Sequence, residues 1–164
     1  MDDHLRARAR ERFAQRCAYC GVHEDDAGAT LTVDHHRPRA RGGDDESDNL
    51  VYACARCNEH KGSYWYHRDP PHVRLLHPGR DNLEAHLRED KDGRIAGVTP
   101  EGQFFVHRLQ LNRPQLVAYR GALRARRKLR EELTAALEQV RALEHRMNEL
   151  GTAIDAAADD LEGD

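Results

Sequence analysis

Cys17-Ala18-Tyr19-Cys20-Gly21, Val33-Asp34-His35-His36-Arg37-Pro38, Asp48-Asn49-Leu50 and Cys54-Ala55-Arg56-Cys57-Asn58 decide the fold of this chain. The two Cys-x-x-Cys pairs use all four cysteines. Four thiolates in two such pairs suit a closed tetrahedral zinc site, structural because no open position is left for a reactive water. Closing that site draws Asp34, His35 and Asn58 together. A hard-cation ligand beside a proton acceptor is what metal-assisted phosphodiester hydrolysis needs.

Working outward, Leu5, Ala9 and Phe13 repeat every four residues and predict a helix over 4–16, with arginines on its other faces. Residues 23–30 read as a polar loop. Leu31-Thr32-Val33 leads as a short strand into Asp34-His35. A loop over 37–48 follows, then a second strand over 49–53 and a helix from Cys54 to about Trp65. Asp69-Pro70-Pro71 ends this unit, because proline cannot continue a helix and disfavours it in the residue before. Tyr64, Trp65 and Tyr66 read as core of the small unit rather than as a base-stacking platform.

Further on, Lys91-Asp92-Gly93-Arg94 is a hairpin signal followed by a strand over 94–98. Thr99-Pro100 is an N-cap with proline at the first helical position, opening a helix that carries Phe104, Phe105 and Leu109. Asn112 is the expected cap of a last helix with Pro114 in its first turn. At ~1.5 Å per residue that helix spans roughly 55 Å by Leu150. Leu116, Tyr119, Leu123, Leu133, Leu137, Val140, Met147 and Ile154 recur at steps that resemble a heptad seam, broken by Arg126, Arg130 and Glu144. Gly151 is a place for it to end or bend. The predicted fold is α+β, in three parts: residues 1–69, a zinc-stabilised ββα unit with a basic N-terminal helix; 70–111, a small α+β extension; and 112–164, a long helix, coiled coil in character, with an acidic tail.

Of 164 residues, 34% are charged and 5% aromatic, a thin supply for one large core. No apolar run approaches membrane-spanning length and the first residues carry no signal-peptide core, so the expectation is a cytoplasmic protein without a membrane partner. The net charge of −3 hides its distribution. Arg6, Arg8, Arg10, Arg12 and Arg16 crowd the N-terminus, and residues 113–130 hold seven bases and no acid. Such local patches can grip phosphates on a nearly neutral protein.

With Arg41-Gly42-Gly43 and Lys61-Gly62 added, residues 13–63 resemble the HNH endonuclease family, whose core is a ββα-metal fold. The resemblance implies a metal-dependent endonuclease that hydrolyses DNA phosphodiester bonds to 5′-phosphate and 3′-hydroxyl ends. It makes His35 the general base and gives Asp34 and Asn58 one Mg²⁺ or Mn²⁺. It makes Asn49 a support for the loop and for His35, and leaves the four cysteines to a structural Zn²⁺. The family usually carries an apolar residue where this chain has His36. A register with His35 as ligand and His36 as base is disfavoured by Pro38, because the family's base stands three residues before a proline. Lys61, Arg37, Arg39 and Arg41 lie where they can meet phosphates.

For partners, DNA comes first. The apolar stripe of the last helix points to a homodimer or to another protein. Two further readings stay open: a nuclease effector subunit of an anti-phage defence or restriction complex, recruited through that helix, and a catalytically silent zinc-stabilised DNA-binding module.

Overall fold

A computed structural model describes residues 3–162, with side-chain surroundings through residue 152. The chain divides into two compact units, Met1–Gly121 and Ala122–Asp164. The first holds α1 (Asp3–Arg12), α2 (Glu24–Ala27), β1 (Thr32–His35), β2 (Leu50–Ala53), α3 (Ala55–Lys61), β3 (Leu87–Glu89), β4 (Ile95–Gly97) and α4 (Pro100–Arg108). The last helix, α5, is Pro114–Glu162. Mixed helices with two small antiparallel sheets give the expected α+β class.

β1 and β2 pair antiparallel, with Thr32 opposite Ala53 and His35 opposite Leu50. All four residues of β2 are buried, because α1 packs against the pair as well. Leu75, Leu76, Phe105, Leu109 and Leu111 share one core with Val33, Val51 and Tyr52. The segment after Pro71 is therefore packed into the ββα unit rather than standing beside it.

Several expected boundaries move. The first helix stops at Arg12, not residue 16, because Ala14 (φ 48°) and Gln15 (φ 60°) turn left-handed. That turn carries the chain into the knuckle, where the Cys17 amide donates to the Val22 carbonyl at 2.8 Å. The expected loop at 23–30 contains α2, capped by His23 Nδ1, which accepts from the Asp25 amide at 3.2 Å. α3 ends at Lys61 rather than near Trp65, because Gly62 takes φ 58° there. Asn112 does not cap α5. Its carboxamide accepts from the Ile95 amide at 2.7 Å and donates to the Ile95 carbonyl at 2.8 Å, standing in as a strand partner for β4. The Thr99 cap of α4 is as expected, accepting from the Gly102 amide at 3.1 Å.

α5 continues through Gly151 to Glu162. Leu116 at its start is buried, whereas Leu129, Leu133, Leu137, Val140, Leu143, Met147 and Leu150 are exposed. Ile154, also expected in this stripe, lies outside the residues whose side chains are described. Among the described residues no helix is long and apolar enough to cross a membrane.

An ionic knot joins α1, α2 and β2. Arg10 Nε donates to both Glu24 oxygens, at 3.0 and 2.9 Å, and the Tyr52 hydroxyl donates to Glu24 Oε2 at 2.7 Å. The Arg10 bond first, then the Tyr52 bond, hold the Glu24 carboxyl down at about 2. A depressed carboxyl stabilises the fold above its ordinary value of 4.5 and loses that contribution as pH falls toward 2. Glu24→Gln is therefore expected to lower the urea midpoint at pH 7, and the gap to wild type should close between pH 4.5 and 2. A gap that stays constant across that range would show that the charge is not what Glu24 contributes.

Candidate nuclease centre and zinc site

The sulfur atoms of Cys17, Cys20, Cys54 and Cys57 all lie within 4.8 Å of one another. Cys20 and Cys54 are 3.9 Å apart, far beyond a disulfide, and all four thiols are free. Zinc–sulfur bonds of about 2.3 Å in a tetrahedron separate sulfurs by about 3.8 Å. The cluster therefore fits zinc. The Cys57 amide donates to Cys54 Sγ at 3.4 Å, and Arg113 Nη2 stands 3.6 Å from Cys57 Sγ. An amide and a guanidinium so placed offset part of the negative charge that four thiolates and one Zn²⁺ leave over.

Backbone hydrogen bonds carry this clamp into the hairpin. The Ala18 amide, inside the first knuckle, donates to the Tyr52 carbonyl of β2 at 2.9 Å. β1 then presents Asp34 and His35 to opposite sides, as alternation requires. Asp34 is buried, while the His35 side chain is 12% exposed.

Asp34 is held from two directions. The Tyr19 hydroxyl donates to Oδ2 at 2.6 Å, and Lys61 Nζ donates to Oδ1 at 2.9 Å. Lys61 also donates to the His35 carbonyl at 2.7 Å. Burial raises the Asp34 carboxyl, and Lys61 and Tyr19 oppose that rise. Burial likewise lowers the Lys61 ammonium, with Asp34 opposing it. Lys61, expected as a phosphate contact, lies in the interior. It is 1% exposed, and its charge is spent on Asp34 and on the strand carbonyl that precedes His36.

Asn49 works on the loop. Its Oδ1 accepts from the Arg37 amide at 2.8 Å, and its Nδ2 donates to the carbonyls of Arg37 at 3.1 Å and Asp44 at 2.8 Å. The loop closes so tightly that a Cβ on Gly43 would sit 1.8 Å from the Arg37 carbonyl oxygen, so only glycine fits there. Asn58 is half-buried in α3, one residue after a zinc cysteine, and its carboxamide has no hydrogen bond among the described residues.

His35 Nε2 lies 2.6 Å from Asp45 Oδ1, and Arg39 Nε donates to the same oxygen at 3.1 Å. Arg39 Nη2 grips the other oxygen, Oδ2. Arg39 is thus ion-paired, and Arg41 is paired to Asp69 at 2.6 Å. Arg37 is exposed, with its guanidinium 5.5 Å from the Trp65 ring centre. These three arginines lie at the protein surface or half-buried near it.

The unexpected His36 is buried. Its Nε2 faces the Leu76 carbonyl at 3.2 Å, and its ring is 4.5 Å from that of His77. Burial, then His77, push its imidazole down to about 3. A neutral ring donating from Nε2 to Leu76 straps β1 to the extension, which makes His36 a packing residue. Tyr64 is buried, as expected of core, and Trp65 and Tyr66 are half-buried.

Two residues at this centre carried no sequence signal. Tyr19 is one of the two residues between the cysteines of the first knuckle, and Asp45 is one of several acids in a polar loop. The extension also reaches the centre. Phe105 packs 6.2 Å from the Tyr19 ring, and Arg108 Nη2 donates to the Lys61 carbonyl at 2.6 Å. A cavity of 630 Å³ beside Cys54, Arg113 and Tyr119 includes none of Asp34, His35 and Asn58.

Residues 17–64 match the family model for HNH endonuclease. No curated protein matches the chain, and no solved structure matches it. The matched segment holds the thiol cluster and the hairpin, and its similarity to HNH endonuclease domains points to a nuclease.

Structural zinc contributes on the order of 10–16 kcal/mol of folding free energy in small domains. Metal analysis should therefore return one zinc per chain, and a strong chelator should abolish the cooperative thermal transition. Full folding with no zinc bound would refute the metal clamp.

Proposed function

From this similarity, we propose that the chain is an endonuclease that hydrolyses DNA phosphodiester bonds to 5′-phosphate and 3′-hydroxyl ends. The observation that carries the reading is the pair at the end of β1: a partly exposed imidazole beside a buried, ionically held carboxylate, on a hairpin clamped by four cysteines. His35 takes one proton from a water as the water oxygen bonds to phosphorus. The bond from phosphorus to O3′ breaks, and its electron pair leaves on O3′, which takes a proton from solvent water to become the 3′-hydroxyl.

Asp34 and Asn58 offer oxygen donors of the kind Mg²⁺ or Mn²⁺ prefers. Each Asp34 oxygen accepts one protein hydrogen bond and retains a second lone pair, and the Asn58 carboxamide is uncommitted among the described residues. A cation there supplies charge to stabilise the leaving oxygen. Lys61 opposes the rise that burial imposes on the Asp34 carboxyl, and Tyr19 orients it. Arg37 is the arginine best placed to meet a phosphate, since Arg39 and Arg41 are engaged by acids.

Supercoiled plasmid with Mg²⁺ or Mn²⁺ tests this. His35→Ala should nick at least about 100-fold more slowly, the usual contribution of a general base. Equal nicking by both proteins would sink the assignment. A wild type that binds DNA without cutting it would favour the silent binding module.

The exposed stripe of α5 is best covered by a second copy of this chain, lying antiparallel. Leu129, Leu133, Val140, Leu143, Met147 and Leu150 follow alternating steps of four, seven and three that keep a heptad face. By sequence, residues 124–130 are basic and acid-free, while the segment from 150 onward is acidic and base-free. A parallel copy would set like charges side by side; an antiparallel one sets unlike charges together. Light scattering should give a dimer. Reversing Arg126, Arg127, Lys128 and Arg130 to Glu should weaken it, whereas a parallel pair would be indifferent to that change. A monomeric wild type at micromolar concentration would end the proposal.

A further inference from the structure

Asp45 belongs to the loop between the strands, ten residues beyond His35, and nothing in the family match assigns it a role. We infer that Asp45 is the positioning residue for His35, holding its imidazole in the tautomer that leaves Nδ1 free to accept a proton. The inference rests on His35 being the general base.

The geometry fixes the tautomer. Nε2 of His35 is 2.6 Å from Asp45 Oδ1. An unprotonated ring nitrogen would aim its lone pair at a carboxylate oxygen at that distance, so the proton sits on Nε2 and is donated to Asp45. Arg39 Nε is 3.2 Å from the same ring nitrogen, but both N–H groups converge on Oδ1, and the two nitrogens are neighbouring donors rather than partners. In neutral imidazole the second nitrogen is then an acceptor. Nδ1 has no hydrogen-bond partner among the described residues, so its lone pair is open to a water.

Asp45 is itself fixed. Arg39 engages both of its oxygens, at 3.1 Å from Nε to Oδ1 and through Nη2 to Oδ2. The carbonyl of the preceding residue, Asp44, accepts from Asn49 Nδ2 at 2.8 Å. Asn49 therefore supports His35 at one remove: it pins the loop, the loop carries Asp45, and Asp45 turns the ring. The Arg39 bond, followed by that of His35, holds the Asp45 carboxyl below its ordinary value, so it is an anion when His35 works. As Nδ1 takes a proton from water, the ring becomes a cation with both nitrogens protonated. The carboxylate against Nε2 then offsets that new charge, and its attraction grows as the reaction proceeds.

This arrangement also redefines Arg39. A guanidinium bound to Asp45 on both oxygens is less a phosphate clamp than a brace that keeps the carboxylate aimed at the ring. Asn at position 45 can turn its amide and donate to Nε2, which would move the ring proton to Nδ1 and block the acceptor. Glu at 45 keeps the charge on a longer arm.

The test uses the full chain with zinc bound, on supercoiled plasmid, with His35→Ala, Asp45→Asn and Asp45→Glu. Asp45 is on the surface, so its variants should keep the wild-type denaturation midpoint. Asp45→Asn is expected to lower kcat about 10–100-fold with KM within about twofold, and Asp45→Glu to recover part of that loss. Long-range proton–nitrogen correlation spectra of the His35 ring should show Nε2–H in wild type and in Asp45→Glu, and its loss in Asp45→Asn. Wild-type kcat in Asp45→Asn together with an unchanged Nε2–H signal would overturn the inference. If His35→Ala itself nicks like wild type, the general-base reading fails first. An Nε2–H signal lost in Asp45→Asn would then still establish the contact, but not a catalytic purpose for it.

Discussion

Four sulfur atoms within 4.8 Å of one another cannot all be ionised without a cation among them, because the mutual repulsion of thiolates at that distance is large in a buried site. Supplying the cation turns that repulsion into a clamp between residues 17–20 and 54–57. Everything near the centre hangs from those two ends. Tyr19 lies between the first two cysteines, β2 runs into the third, and Asn58 follows the fourth. A single hairpin of two four-residue strands is marginal in water by itself, and the thiol cluster adds a fixed point beside the core that covers it.

A second tier of support comes from the extension. Phe105 backs Tyr19, Arg108 closes the end of α3 at the Lys61 carbonyl, and His36 reaches Leu76 and packs on His77. Each of these contacts bears on a residue that touches or flanks Asp34 and His35. The Lys61–Asp34 pair shows why such backing matters. Two buried charges cost desolvation that only close geometry repays, and the pair is 2.9 Å apart with both partners bonded elsewhere.

The zinc knuckle and the order strand, loop, strand, helix were legible because cysteine spacing and glycine or proline breaks are local signals. The α4 start at Thr99-Pro100 was legible for the same reason. The end of α1 was not, because Ala14 and Gln15 adopt left-handed backbone without any glycine to announce it. Asn112 misled because an Asn before Pro114 looks like a cap, while its carboxamide pairs with β4, a contact that only tertiary structure creates. Lys61 misled in the same way: a lysine reads as surface until an aspartate 27 residues earlier meets it in the interior. Asp45 and Tyr19 were invisible because their importance lies in what they touch, not in their spacing.

β1 is four residues long, and its neighbours Asp34 and His35 divide inside from outside between them. Such a strand behaves as a reading frame. One residue of slippage against β2 would send the imidazole inward to Lys61 and turn the carboxylate outward to Arg39, exchanging the two chemistries without altering a single side chain. The two Cys-x-x-Cys ends, one bonded to β2 through Ala18 and the other continuous with it at Cys54, act as the punctuation that forbids this. The four cysteines thus help to set which of the two side chains faces the interior and which faces outward, although they contact neither.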